Sequence, residues 1–290
     1  MTYEDLEPLR DEPGGAAWLA ALPTLVDECV ERWSLSIGEA FGHGYSSLAM
    51  PATLPDGTEA VLKVELPHRE AEQEATALQA WNGEGAVRLL DDDPARCAFL
   101  LERARPGSHL TELGTRDPEA ALGVVIGLVP RLWIPAGEPF RSLADEAADL
   151  RAEMLADWER TGRTVDARLV EAAAEAFTEL AATQGEQVLV NQDLHADNIL
   201  SATREPWLVI DPKPLAGERE FGVAAMVRGG ELGHSRPAVI RRLDRVSAEL
   251  DLDRERVRRW TMAHTLSWGF DAHGPMPEHV ETATWLLNAR

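Results

Sequence analysis

The chain has 290 residues and a formal net charge of -22, from 50 acidic against 28 basic side chains. Affinity for nucleic acid is dominated by neutralising phosphate, so this balance argues against a nucleic-acid partner and suits either a cationic small molecule or plain solubility. The longest apolar run, residues 120–129, is closed by Pro130 and Arg131 and is too short to span a bilayer, and the acidic N-terminal residues carry no secretory pattern. Cys29 and Cys97 are the only 2 cysteines, which fits a reduced compartment, the cytoplasm, with the thiols in structural roles. Lysine occurs only at Lys63 and Lys213, arginine serving everywhere else. An ammonium is a compact point charge that a planar guanidinium does not replace, so both lysines are expected to have tasks.

In chain order, Trp18, Leu22, Leu25, Val26, Cys29, Val30 and Trp33 recur at helical spacing, with Pro23 starting or bending the helix. Leu35, Ile37 and Phe41 suggest a first strand, Gly42–Ser47 a bend into a second, and Pro55-Asp56-Gly57-Thr58 a turn into the strand that carries Lys63. Residues 68–81 read as a helix with Ala71, Ala75, Leu78 and Trp81 inward. Strands are expected at 86–90 and 97–101, joined by an acidic turn through Asp91, Asp92 and Asp93, before Arg105-Pro106-Gly107 breaks the chain.

The second half is punctuated for helices. Asp117-Pro118-Glu119 combines an N-cap, a proline at the first helical position and an early acid, opening an apolar helix to Trp133. Ser142 to Gly162, Thr164 to Gly185, and Ser235 to Leu250 frame three more. The arginines between 241 and 259 alternate with acids and read as a solvated face, while Trp260, Leu266, Trp268, Phe270 and Trp285 read as core. Between these helices lie two apolar runs, Val188-Leu189-Val190 and Leu208-Val209-Ile210, forming a hairpin-like unit with Asp193, Asn198 and Asp211 just beyond them. Three oxygen ligands so placed suit phosphoryl transfer on Mg²⁺, a hard cation that takes carboxylates and substrate phosphates.

The spelling VNQDLHADNIL followed by LVIDPKPLAGE, with VLK and GAVRLLDDD upstream, resembles the aminoglycoside phosphotransferase family, and within it the streptomycin 6-kinase and hydroxyurea-kinase branch. The resemblance covers about residues 42–268 and implies an α+β, protein-kinase-like fold in two lobes. A small antiparallel-sheet lobe with one main helix, residues 1–102, would lead through a hinge, 103–106, into a larger mostly helical lobe, 107–290. The implied activity is transfer of the ATP γ-phosphoryl group to a hydroxyl of a small molecule, an aminoglycoside such as streptomycin first. Asp193 would be the catalytic base, and Asn198 and Asp211 the Mg²⁺ ligands. Lys63 would neutralise the α and β phosphates and Glu74 would hold that lysine; Gly42, Gly44, Ser46 and Ser47 would cover the phosphates, and the backbone of Glu102 and Ala104 would read adenine. Glu231 and Asp271, with Asp193, are candidates for a cationic acceptor.

Two departures from the family pattern stand out. Relatives spell the loop His-Gly-Asp where this chain has Asn191-Gln192-Asp193, and often carry an Asp where this chain has Gly222. Asn191 is expected to hydrogen-bond the backbone in place of the histidine, and Glu218 or Glu220 to compensate for Gly222. His195 is expected to hold the loop. A nucleotide-binding pseudokinase and a metabolic sugar or hydroxyurea-type kinase remain open alternatives. A Walker A loop is absent, which argues against a P-loop NTPase, and a metal-dependent phosphatase would have no need of Lys63.

Overall fold

Apolar residues alternate along 59–65, so a strand there turns Ala60, Leu62 and Val64 to one side and Lys63 and Glu65 to the other. The computed structural model, described for residues 3–42, 46–69 and 73–289, carries out that alternation. The chain divides into two compact units, one of Met1–Gly107 with Ala202–Arg204, the other of Ser108–Ser201 with Glu205–Arg290.

The first unit opens with a 3₁₀ helix (Tyr3–Asp11) and helix α1 (Gly15–Trp33), which contains Pro23 in its interior. Strands β1 (Ser36–Ile37), β2 (Ser47–Thr53), β3 (Glu59–Glu65), β4 (Leu89–Asp93) and β5 (Ala98–Glu102) form one antiparallel sheet in the order β1-β2-β3-β5-β4. Trp18, Leu22, Val26 and Cys29 of α1 pack with Leu48, Ala60, Leu62, Val64, Ala98 and Leu100 into the core of this unit. Lys63 therefore stands on the other face, opposite Phe99 of β5.

Helix α2 (Glu74–Trp81) is shorter than the 68–81 expected; Ala71 lies outside the described residues, and Ala77 rather than Ala75 is buried. A second correction concerns Asp91, Asp92 and Asp93, which belong to β4 and not to a turn. A bulge between Leu89 and Asp91 leaves Leu90 exposed and shifts the strand toward its acidic end, where Arg96 closes the turn on Asp93 at 2.8 Å. Arg204 inserts into this unit, donating to the Glu102 carboxylate at 2.8 and 2.9 Å and to the carbonyls of Gly83 and Ala86.

The second unit holds α3 (Leu110–Gly114), α4 (Pro118–Leu132), α5 (Leu143–Arg160) and α6 (Ala167–Ala182). As expected, the Asp117 side chain accepts the Ala120 N–H and that of Ser142 the Asp145 N–H. The cap of α6 is Asp166 instead of Thr164, because its carboxylate reaches the Arg168 N–H. Four short strands follow, β6 (Val188–Asn191), β7 (Ile199–Ser201), β8 (Trp207–Val209) and β9 (Pro214–Gly217), then α7 (Ala224–Arg228), α8 (Arg236–Glu249) and α9 (Arg254–Ser267). A hairpin of β10 (Phe270–Asp271) and β11 (Gly274–Pro275) and helix α10 (Pro277–Leu287) complete it.

Two further expectations are corrected here. Arg242 is not on a solvated face: it is 4 % exposed and donates to the carbonyls of Val227, Leu232 and Gly233, capping the ends of α7 and the turn after it. Glu218 is 2 % exposed and receives Arg256 at 2.7 Å, the Gly185 N–H and the Trp260 indole N–H. It anchors α9 and the end of α6 rather than compensating for Gly222 at the loop, and Glu220 accepts the Asp253 N–H at 3.5 Å. Among the described residues no helix is long and apolar enough to cross a membrane.

Candidate active site

The two apolar runs that read as one hairpin do not pair with each other. β7 pairs with β8, Ile199 opposite Val209, and outside them β6 pairs with β9, Asn191 opposite Pro214. This nesting brings the 191–198 loop and the 210–213 loop to one end of the second unit, through Gln192 N–H to Lys213 C=O at 3.0 Å and Ile210 N–H to Asn198 C=O at 2.9 Å.

Asn191 clamps backbone, as expected. Its Oδ1 accepts the N–H of Asp193 and the N–H of Lys213, both at 3.0 Å, so one amide oxygen registers the two loops. Asn198 donates Nδ2 to the Asp193 carbonyl at 3.1 Å, which leaves Oδ1 as the end able to face a cation. Asp211 adopts a φ of 51, a left-handed conformation that Asp tolerates better than most side chains. Asn198 Oδ1 and the Asp211 carboxylate are hard oxygen donors, the kind of atom that Mg²⁺ takes.

The Asp193 carboxylate is ringed by cations. Lys213 Nζ stands 3.3 Å from Oδ2, and His195 Nε2 and Arg228 approach Oδ1 at 3.5 and 3.9 Å. Burial alone would raise its pKa; the His195 hydrogen bond and the charges of Lys213, His195 and Arg228 outweigh that and hold it well below the usual carboxylate range. Asp193 thus stays ionised at any physiological pH. The same pairing raises His195 against the opposing effect of burial.

Sequence reasoning singled out Lys213 and His195 of this ring but not Arg228, nor the aromatic ring behind it. Trp268, expected in the core, is half-buried, with Lys213 Nζ 4.8 Å and the Arg228 guanidinium 4.7 Å from its ring centroid. Arg228 also donates to His264 Nδ1 at 3.2 Å. Burial and the Arg228 charge lower the His264 pKa, so the imidazole is neutral and able to accept that bond. Only the rarity of lysine pointed to Lys213; nothing in the residue pattern marked Arg228.

The remaining expected residues fall as follows. Glu231 accepts the Ala196 N–H at 3.0 Å and so braces the 193–198 loop. Asp271 is exposed in the β10–β11 hairpin, its Oδ1 accepting the N–H of His273 and Gly274. In the first unit, Lys63 is 5 % exposed and bonded to Glu74 at 2.5 Å; Glu65, not foreseen, is a second carboxylate at 3.3 Å. Gly42 sits in an exposed bend, Gly44 lies outside the described residues, Ser46 reaches Glu65 at 3.5 Å, and Ser47 begins β2. Glu102 ends β5 opposite Ala60, and Ala104 is buried two residues later.

Gly222 has a steric reason. A Cβ there would lie 2.9 Å from Val190 Cγ1 and 3.0 Å from Val190 Cβ, directly behind Asn191. Gly222→Asp is therefore expected to destabilise the protein by about 1–3 kcal/mol through overpacking, read as a lower melting temperature. Disturbing Val190 should also lower kcat; an unchanged melting point and rate would show that the strand has room to shift.

Comparison with known proteins agrees with this geometry. The family model for "Aminoglycoside/hydroxyurea antibiotic resistance kinase" matches residues 32–271. The chain is 41 % identical over 258 residues to a streptomycin 6-kinase of Streptomyces glaucescens, covering 87 % of this chain and 83 % of that one. It is 42 % identical over 264 residues to a hydroxyurea phosphotransferase of Kitasatospora aureofaciens, covering 87 % and 74 %. Among solved structures, a choline/ethanolamine kinase family protein from Mesorhizobium loti superposes with a TM-score of 0.64 at 14 % identity, covering 91 % and 95 %, a likeness of fold. A protein-kinase-like α+β fold, a buried carboxylate held among cations, and these matches give one conclusion: the chain belongs to the aminoglycoside/hydroxyurea antibiotic resistance kinase family and is a phosphotransferase acting on a hydroxyl acceptor.

Proposed function

We propose that the protein transfers the γ-phosphoryl group of ATP to a hydroxyl of an aminoglycoside, streptomycin being the first choice from the similarity to streptomycin 6-kinases. The observation that carries this reading is Asp193, an ionised carboxylate whose backbone is fixed on both sides by Asn191 and Asn198. Asp193 accepts the acceptor hydroxyl proton and aligns its oxygen. Asn198 and Asp211 hold Mg²⁺, which when bound neutralises charge on the β and γ phosphates. Lys63, oriented by Glu74, takes the α and β phosphates, Gly42, Gly44, Ser46 and Ser47 are assigned to cover them, and the backbone at Glu102 and Ala104 is assigned to adenine. Glu231 and Asp271 are assigned to cationic groups of the acceptor. ATP places the reaction in the cytoplasm.

A hydroxyurea-type acceptor is the second reading, favoured by the similarity to a hydroxyurea phosphotransferase. The test is ATP consumption against a panel of aminocyclitols, sugars and hydroxyurea, with mass detection of the product. Streptomycin is expected to be phosphorylated, with a KM that rises with ionic strength because exposed charge pairing is screened. Turnover of a neutral sugar with a salt-independent KM would replace this reading by a metabolic kinase. ATP binding with no turnover of any acceptor would replace it by a pseudokinase.

A further inference from the structure

We propose that Lys213 is a further catalytic residue, its ammonium contacting the oxygens of the phosphoryl group as that group passes to the acceptor. This rests on the reading of Asp193 as the base. A base must lie within about 2.6–3.2 Å of the hydroxyl it serves, and that hydroxyl oxygen attacks phosphorus directly. A cation 3.3 Å from Asp193 Oδ2 is therefore one contact away from the reacting centre.

Lys213 is placed for this and not merely for holding the loop. Its backbone is already secured by Asn191 Oδ1 accepting its N–H and by its own carbonyl accepting the Gln192 N–H. The side chain is 25 % exposed, so the ammonium is reachable, and it rests over Trp268 at 4.8 Å, which limits its sideways motion. Arg228 is less suited: it is 14 % exposed, 3.9 Å from Asp193, and committed to His264. The use of one of only two lysines in an arginine-rich chain agrees with a demand for a compact charge.

In the step, the acceptor O–H bond breaks and its proton passes to Asp193. The acceptor oxygen forms a bond to the γ-phosphorus while the bond from that phosphorus to the bridging oxygen breaks, its electron pair leaving with ADP. The Lys213 ammonium takes no part in the proton transfer and shifts its attraction from Asp193, which becomes neutral, to the phosphoryl oxygens.

Lys213→Ala should lower kcat by about 10²-fold or more, as loss of one transition-state donor typically does, with little change in acceptor KM. Two readouts separate contact from support. Replacing ATP by ATPγS weakens any contact to a non-bridging oxygen, so the ATP to ATPγS rate ratio should be smaller in Lys213→Ala than in the parent. Added methylammonium should restore part of the rate, and Lys213→Arg should restore little. Lys213→Gln, of similar length, serves if the alanine variant does not fold. A kcat within threefold of the parent overturns the proposal, as does a large fall with an unchanged thio ratio and no rescue. Asp193→Asn assayed in parallel distinguishes the failures: full activity there sinks the reading of the base, whereas an inactive Asp193→Asn beside a parent-like Lys213→Ala sinks only this inference.

Discussion

Asp193→Asn is expected to lose turnover by at least about 10²-fold, and up to about 10⁴-fold, the range over which a positioned general base contributes. The loop should keep its shape. Asn191 and Asn198 grip the backbone N–H and C=O of residue 193, not its carboxylate, so an isosteric amide leaves those bonds intact. What disappears is the anion that balances Lys213, His195 and Arg228, and with it the proposed acceptor for the substrate proton. ATP binding measured by calorimetry should stay within a few-fold of the parent while ADP release collapses. Parental turnover in this variant would remove Asp193 from the mechanism.

The same substitution carries a stability signature with a definite sign. The folded pKa of Asp193 lies below its unfolded value, so its ionisation stabilises the fold above the unfolded pKa, and that contribution fades as pH falls through the folded pKa. The melting difference between parent and variant should accordingly be largest near neutrality and narrow in acid.

Lys63→Ala should produce the second large effect, on stability and nucleotide use together. Its removal leaves Glu74 and Glu65, 1 % and 3 % exposed, without the ammonium they share. Breaking a buried ion pair from one side costs about 3–5 kcal/mol. For a chain of this size each kcal/mol moves the melting point by roughly 2–4 °C, so a fall of about 10 °C is expected. Assayed below that temperature, the variant should use ATP poorly at every Mg²⁺ concentration, because the lost charge is the one proposed to face phosphate. Asp211→Asn should differ in kind: it would weaken the proposed metal ligand set, so activity should recover in part as Mg²⁺ is raised. Parent-like ATP use by both variants would place the nucleotide elsewhere.

Local signals in the chain were enough for most of the main elements, though not for the start of α2, the extent of β4 or the cap of α6. The caps at Asp117, Ser142 and Ser235, the alternation around Lys63 and the order Asp193, Asn198, Asp211 depend on short-range sterics, backbone hydrogen bonding and spacing, all legible in one dimension. The rarity of lysine marked Lys213 without saying why. The pairing of β6 with β9 around β7 and β8 was decided only by the tertiary structure, since an apolar run does not name its partner. So was the cationic ring on Asp193 inside a chain of net charge -22, which depends on α7 and α9 delivering Arg228 and His264 from 35 and 71 residues away (228 − 193 and 264 − 193). Long-range packing likewise turned Trp268 from a core residue into a platform and Arg242 from a surface charge into a buried cap. A side chain's burial and its partners are properties of the whole packed arrangement, and the residue's own neighbours in the chain do not encode them.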